Sequence, residues 1–170
     1  MKRRPGSAGR RGRAIVSADV RASVSGAPSG ARVTRLLDRA GALTRPDVRR
    51  LAGGSEAEVS ILFCGDVRMR ALNRRYRRSD RSTDVLAFPA DGEARGLLGD
   101  IVVSMPYAAR QARRRSEPVG REVDRLVVHG FLHLLGYDHE VDDGEMEALE
   151  ARLRSRLGIA EAGSQKAGRS

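Results

Sequence analysis

The sequence is poor in cysteine and in aromatic residues, and it has no tryptophan. Cys64 is the only cysteine among 170 residues, which excludes an intramolecular disulfide and favours a reducing, cytoplasmic location. No apolar run approaches the roughly 20 residues that span a bilayer, and the N-terminus lacks the apolar segment of a secretory signal. Because aromatics make up only 4% of the chain, we expect a single core built from Leu, Val, Ala and Ile.

Lysine is also scarce, so the net charge of +10 comes from arginine. Residues 1–13 carry six basic residues and no acid, which predicts a disordered basic tail; an organellar transit peptide is the alternative. Residues 68–81 contain seven arginines, whereas residues 138–150 contain seven acids and no base. The basic stretch indicates an anionic partner, with nucleic acid the first candidate. A general preference for arginine over lysine is the other explanation.

Strand-like and helix-like patterns alternate between this tail and a second predicted disordered tail at residues 159–170. The strand patterns lie at residues 14–24, 59–63, 85–88 and 101–103. The helical spacings lie at residues 33–40, 66–75, 119–135 and 146–157. Ser104 and Pro106 suit the cap and first turn of a further helix. This order predicts an α/β fold of α+β character, a single domain over residues 14–158. Its small central mixed sheet would have about four strands covered by helices.

The chain's three histidines lie within eleven residues, in V-V-H-G-F-L-H-L-L-G-Y-D-H. His129 and His133 are four residues apart and share one face of a helix. Gly136 can adopt the left-handed conformation that ends a helix, and the next turn then returns His139 to the same point. Three neutral imidazoles with an open position are typical of a catalytic zinc site, with nickel and copper less favoured. We predict one zinc ion bound by His129, His133 and His139.

The spacing H-x-x-x-H-x-x-G-x-x-H is also that of the metzincin peptidases, which place a glutamate after the first histidine as general base. Gly130 occupies that position here and cannot take a proton, which argues against that mechanism. A metal ion can still generate hydroxide and polarise a phosphoryl oxygen, while an arginine stabilises the developing charge. The sequence alone does not choose among Arg74, Arg75, Arg77, Arg78 and Arg81.

Three blocks of the chain resemble the YbeY family of metal-dependent endoribonucleases, which act in ribosomal RNA maturation and ribosome quality control. They are L-N-R-R-Y-R-R-S-D-R-S-T-D-V-L-A-F-P, L-L-G-D-I-V-V-S, and H-G-F-L-H-L-L-G-Y-D-H followed by M-E-A-L-E. The resemblance spans roughly residues 15–158. It implies a small α/β domain with the metal helix packed across a central sheet.

The same resemblance implies a role for individual residues. His129, His133 and His139 are then the zinc ligands, and Arg77, which follows the tyrosine of the first block, is the catalytic arginine. The implied activity is zinc-dependent endonucleolytic cleavage of single-stranded RNA in 16S rRNA 3′-end maturation. The implied partners are ribosomal RNA and ribosome or small-subunit proteins, with no membrane.

The group that moves the proton stays open in the sequence. Asp138 can orient a ligand histidine or cap the chain reversal, and Asp84 and Asp100 are similar cases. Hydrolysis by water and attack by the RNA 2′-hydroxyl are both compatible with the residues. Two other functions also remain: a metallopeptidase-like hydrolase with an unrecognised base, and a non-catalytic ribosome assembly factor whose metal stabilises the fold. The sequence does not fix the oligomeric state.

Overall fold

The structure, a computed structural model, describes residues 15–91, 95–139 and 141–160. The predicted basic tail and residues 161–170 lie outside this range. Four strands and six helices follow one another in the described residues. They are β1 (Ile15–Ala22), α1 (Gly30–Leu43), α2 (Arg45–Ala52), β2 (Glu56–Cys64), α3 (Asp66–Arg77), β3 (Val85–Pro89), β4 (Leu97–Ser104), α4 (Met105–Arg114), α5 (Val119–Leu134) and α6 (Glu145–Leu157). None of these helices has the length and apolar character needed to cross a bilayer.

The four strands form one mixed sheet in the order β1-β2-β4-β3. β1, β2 and β4 are parallel, and β3 pairs antiparallel with β4. The predicted α/β fold with a four-stranded mixed sheet is therefore confirmed. β4 begins four residues earlier than predicted. The prediction missed its first residues because Gly99 interrupts the apolar pattern. Gly99 has a φ of 138°, and a Cβ atom there would collide with the carbonyl oxygen of Phe88.

The two faces of the sheet are covered to different extents. Alternate residues of β2, namely Val59, Ile61 and Phe63, are at most 2% exposed and belong to the main core beneath α1, α5 and α6. The opposite face packs against α3 through a much smaller cluster that includes Met69. α5 therefore lies on the face of the sheet with the larger core, and the opposite face keeps an open groove.

A buried ion network anchors the beginning of α5. Arg125, which is 1% exposed, pairs with Glu117 and, at 3.0 Å, with Glu122. Its Nε donates to the carbonyl oxygen of Ile159 at 2.9 Å. Ile159 itself lies in the core, so packing continues past the end of α6. The network ties the α4–α5 connection and the chain after α6 to the helix that carries two of the histidines.

Candidate metal centre

The end of α5 sets the position of the third histidine. Gly136 has a φ of 92°, which favours glycine because it has no Cβ. Its N–H donates to the carbonyl of His133 at 3.0 Å, and the Tyr137 N–H donates to the carbonyl of Leu132 at 3.1 Å. These two bonds form a Schellman motif. The reversal returns His139 to the exposed side of the two helical histidines, as the glycine position predicts.

The three imidazoles face one another around a common point. One nitrogen of each ring lies within 4.8 Å of the corresponding atoms of the other two. The ring centroids of His129 and His133 are 4.8 Å apart, and that of His139 is 5.6 and 5.5 Å from them. The three histidines can therefore hold one metal ion.

The donor set also fits the dimensions of zinc. Nε2 of His129 and Nε2 of His133 are 3.2 Å apart. Two nitrogens bound tetrahedrally at zinc–nitrogen lengths of about 2.0–2.1 Å lie about 3.3 Å apart. Little movement of the two rings is needed to place both nitrogens on one ion of this size.

Glu150 of α6 contacts the ring nitrogen of His129 that does not face His133. Both of its carboxylate oxygens lie 3.2 Å from Nδ1 of His129, which favours the tautomer with a proton on Nδ1 and a free lone pair on Nε2. Burial alone would raise the pKa of Glu150. The hydrogen bond with His129 and the charge of Arg154 oppose burial, and the pKa of Glu150 lies below its ordinary value. The carboxylate is therefore a charged partner that accepts a hydrogen bond from His129.

Sequence reasoning missed Glu150, although a signal was present. Met146, Leu149, Leu153 and Leu157 form the buried stripe of α6, and Glu150 falls on the same stripe because it follows Met146 by four residues. Its side chain is 13% exposed. A carboxylate on the buried side of a helix needs a hydrogen-bonding partner. The histidine block of the sequence contains such a partner, His129.

Burial of His133 favours the form that binds metal. Burial lowers the pKa of His133, and the neighbouring His129, His139 and Arg77 lower it further, while Asp138 acts in the opposite direction. A lowered pKa keeps the imidazole neutral, with a lone pair available near neutral pH.

Gly130 packs against the sheet. A Cβ atom on Gly130 would lie 2.8 Å from Cγ2 of Ile101 and 3.3 Å from Cγ2 of Val85. The glycine lets α5 approach β3 and β4 closely. A glutamate base at this position has no room and would not point toward the histidines.

Arg77 lines a cavity of about 470 Å³ at the C-terminal end of α3. Asn73, Ser82, Thr83 and Tyr107 are among the other lining residues. Asn73 donates to the carbonyl of Arg81 at 2.8 Å and so holds the loop that follows α3. The cavity has the hydroxyl, amide and guanidinium groups that bind phosphate and sugar oxygens.

The three aspartates considered from the sequence lie in different places. Asp138 is next to His139, and its charge acts on His133. Asp84 accepts from its neighbours, the Thr83 hydroxyl at 3.0 Å and the Val85 N–H at 2.8 Å, and so shapes the start of β3. Asp100 lines the groove on the opposite face of the sheet from α5. Neither Asp84 nor Asp100 takes part in the histidine cluster.

Comparisons with known proteins identify the family of this chain. The sequence pattern described as Endoribonuclease YbeY matches residues 35–158. The Endoribonuclease YbeY of Anaeromyxobacter sp. (strain Fw109-5) is 48% identical over 120 residues, which cover 68% of this chain and 62% of that protein. The Endoribonuclease YbeY of Solibacter usitatus (strain Ellin6076) is 43% identical over 139 residues, covering 78% of this chain and 91% of that protein.

A solved structure has a similar fold. The solution structure of TM1509 from Thermotoga maritima superposes with a TM-score of 0.53 and 23% identity, covering 91% of this chain and all of that one. This likeness concerns the fold alone. The match over residues 35–158 and the two bacterial relatives go further: the chain belongs to the Endoribonuclease YbeY family, whose named members are hydrolases acting on RNA.

Proposed function

We propose that this chain is a zinc-dependent endoribonuclease that cleaves single-stranded RNA and acts in the cytoplasm on the 3′ end of precursor 16S ribosomal RNA. The observation that carries the proposal is the cluster of three histidine nitrogens that lie within 4.8 Å of one another. Arg77 lines a polar cavity at the end of α3. The names of the relatives support RNA as the substrate. Ribosomal RNA and small-subunit proteins are then the expected partners.

In this proposal His129, His133 and His139 hold the zinc ion. Zinc has affinity for three neutral imidazoles and, when bound with an open position, supplies an acidified water and a Lewis acid. Glu150 fixes the ring of His129 through Nδ1. The burial that lowers the pKa of His133 keeps that ring from taking up a proton that would block its nitrogen.

Arg77 binds and orients the scissile phosphate. Its planar guanidinium can donate two parallel hydrogen bonds to phosphate oxygens and stabilise the charge that develops during cleavage. The hydroxyls of Ser82 and Thr83 in the same cavity donate to Asp66 and Asp84, so their oxygens can accept a hydrogen bond from a sugar hydroxyl. Gly130 offers no base, so the proton of the attacking group passes to solvent or to another group of the substrate complex.

A cleavage assay with defined variants tests this proposal. The substrate is a single-stranded RNA spanning the 3′ end of precursor 16S rRNA, and the metal content of each preparation is measured. Arg77→Ala is expected to slow cleavage by about 100-fold or more while retaining bound zinc, whereas His133→Ala loses both. Arg114→Ala, an exposed arginine at the end of α4, is the matched control and keeps wild-type activity.

The products of the same assay separate the chemical routes and the competing functions. A 2′,3′-cyclic phosphate at the cleaved end indicates attack by the RNA 2′-hydroxyl, whereas its absence and cleavage of DNA indicate attack by water. Chelator-sensitive peptidase activity that survives Arg77→Ala would contradict the proposal and favour a metallopeptidase. Bound metal without chelator-sensitive RNA cleavage would contradict it in favour of an assembly factor.

A further inference from the structure

Tyr76, the residue before Arg77, is an aromatic side chain held in an exposed position. It is 56% exposed in a chain with few aromatic residues. Its ring meets that of Phe88 edge to face, with the centroids 5.0 Å apart and an angle of 62°. The guanidinium carbon of Arg75 lies 5.5 Å from the ring centroid. These two contacts restrain the Tyr76 ring, although more than half of the residue is exposed to solvent.

Tyr76 lines the open groove on the sheet face opposite α5. This groove has a volume of about 610 Å³. Leu72, Phe88 and Val102 give it an apolar floor, and Arg21 and Arg68 add guanidinium groups. The carboxylates of Asp19 and Asp100 also line it; they can accept hydrogen bonds from base amino groups but do not bind phosphate. Such a mixture suits the bases of a nucleic acid more than its backbone.

The end of α3 joins this groove to the cavity that contains Arg77. Tyr76 contributes to the groove and Arg77 to the cavity, although the two residues are adjacent in the chain. Arg70 is paired with Asp80 at 2.8 Å. Within the described part of the chain, the other arginines of residues 68–81 form no ion pair. These unpaired cations follow α3 and the loop after it, where a phosphate backbone would be attracted.

We propose that Tyr76 is a stacking platform for a nucleobase next to the phosphate bound by Arg77, and that the RNA strand passes around the end of α3. This inference rests on the proposed function, since it assumes RNA as the substrate. Unpaired bases stack on exposed aromatic rings in single-strand recognition. The platform would favour unpaired RNA, because a base within a duplex must first be unpaired and unstacked to reach the ring.

The test compares Tyr76→Ala and Tyr76→Phe in the full, zinc-loaded chain. Tyr76→Ala is expected to raise KM for a single-stranded RNA on the order of ten-fold with little change in kcat, because stacking contributes to binding. Tyr76→Phe keeps the ring and restores KM to near the wild-type value. The control is Val67→Ala, which alters another exposed apolar residue of α3 (87% exposed) that lines neither the groove nor the cavity.

Removal of single bases from the RNA makes the test specific. An abasic nucleotide at the stacked position should weaken wild-type binding by a similar factor but add nothing to the loss in Tyr76→Ala. Because the chain has no tryptophan, Tyr76→Trp introduces a single fluorescent reporter at the proposed platform. Binding of a 2′-O-methyl RNA should quench the emission of this tryptophan. The platform would be overturned if, at every abasic position, the loss of affinity in Tyr76→Ala added to the loss caused by the missing base. It would also be overturned if RNA did not quench the emission of Tyr76→Trp.

These readouts separate the platform from the proposed function. Absence of chelator-sensitive cleavage by the wild-type chain contradicts the nuclease, yet affinity and quenching can still be measured. Conversely, wild-type RNA affinity in a folded Tyr76→Ala variant overturns the platform while the nuclease stands. That result would leave the groove as a surface for a protein rather than for RNA.

Discussion

Both carboxylate oxygens of Glu150 lie 3.2 Å from Nδ1 of His129. The contact joins α6 to α5 and makes the orientation of one imidazole of the histidine cluster depend on a second helix. Arg154, one turn later, donates to Glu150 at 2.7 Å. The candidate metal centre therefore extends from the three imidazoles into the buried side of α6.

Glu150→Gln is expected to weaken zinc binding by about 10- to 100-fold, the usual effect of removing a carboxylate that orients a ligand histidine. The amide keeps the shape of the side chain but loses the charge that favours a proton on Nδ1 of His129. Competition with a fluorescent zinc chelator measures the affinity. Glu147→Gln, an exposed position on the same helix, is the control, and equal affinities in the two variants would contradict the role of Glu150.

Gly130→Ala is expected to lower the free energy of unfolding by about 1–3 kcal/mol. Alanine gains up to about 1 kcal/mol in helix propensity, but the new methyl group would overlap Cγ2 of Ile101 at 2.8 Å, and a β-branched side chain cannot turn away cheaply. Urea unfolding measures the change.

The comparison for Gly130 is Gly120→Ala on the same helix. The nearest atoms to a Cβ at Gly120 are the guanidinium nitrogens of Arg32, at 3.0 Å. They belong to the flexible end of a half-exposed side chain and can move aside. A loss of stability at Gly120 as large as that at Gly130 would show that contact with the sheet is not the cause.

Asp66 gives the fold a pH dependence outside the metal centre. It accepts from Ser82 at 3.0 Å, from Ser104 at 2.8 Å and from Arg110 at 2.7 Å, and so joins the start of α3 to the loop that follows α3, to the end of β4 and to α4. The hydrogen bond from Arg110, followed by those from the serines, lowers the pKa of Asp66 below its ordinary value of 3.8. The stabilisation is therefore complete above about pH 4 and is lost as the pH falls through the folded-state pKa.

Asp66→Asn is expected to reduce stability at pH 7 by about 0.5–1 kcal/mol, a modest figure because solvent screens the partly exposed ion pair. Urea unfolding at pH 7, 4 and 3 follows the difference between the variant and the wild type. The difference in the free energy of unfolding between the two proteins should be smaller at pH 3 than at pH 7. A gap that widens on acidification would mean that the charged carboxylate does not stabilise this junction.

Arg125→Ala is expected to destabilise the chain by up to about 3–5 kcal/mol because it removes the buried cation that Glu117 and Glu122 share. Arg115, which pairs with Glu122 at 2.6 Å, offsets part of this loss. The carbonyl of Ile159 also loses its donor. Chemical denaturation measures the loss, with Arg152→Ala, an exposed arginine of α6, as the control. A change below about 1 kcal/mol would contradict the structural importance of this network.

The sequence predicted the features that depend on local spacing. The interval between His129 and His133 and the glycine at position 136 were enough to bring three rings together, because both follow from helix geometry. The sheet and its four strands followed from apolar alternation. The short helix α2 was missed because only Val48 and Ala52 of it are buried, which leaves too weak a hydrophobic pattern.

Features that depend on contacts between distant elements were not predictable. The Glu150–His129 pair joins residues 21 positions apart, and the crowding of Gly130 depends on how closely α5 approaches β4. The arginines between residues 74 and 81 are all exposed, and only the fold shows that Arg77 and Arg81 line the cavity at the end of α3. Family resemblance, rather than spacing, had singled out Arg77.

The most direct test of the central claim is the rate of RNA cleavage by the wild-type chain during removal and return of zinc. We predict that a chelator abolishes cleavage and that one equivalent of zinc per chain restores the full rate. Restoration should fail in His133→Ala. Cleavage that continues at the original rate in metal-free protein would contradict the account.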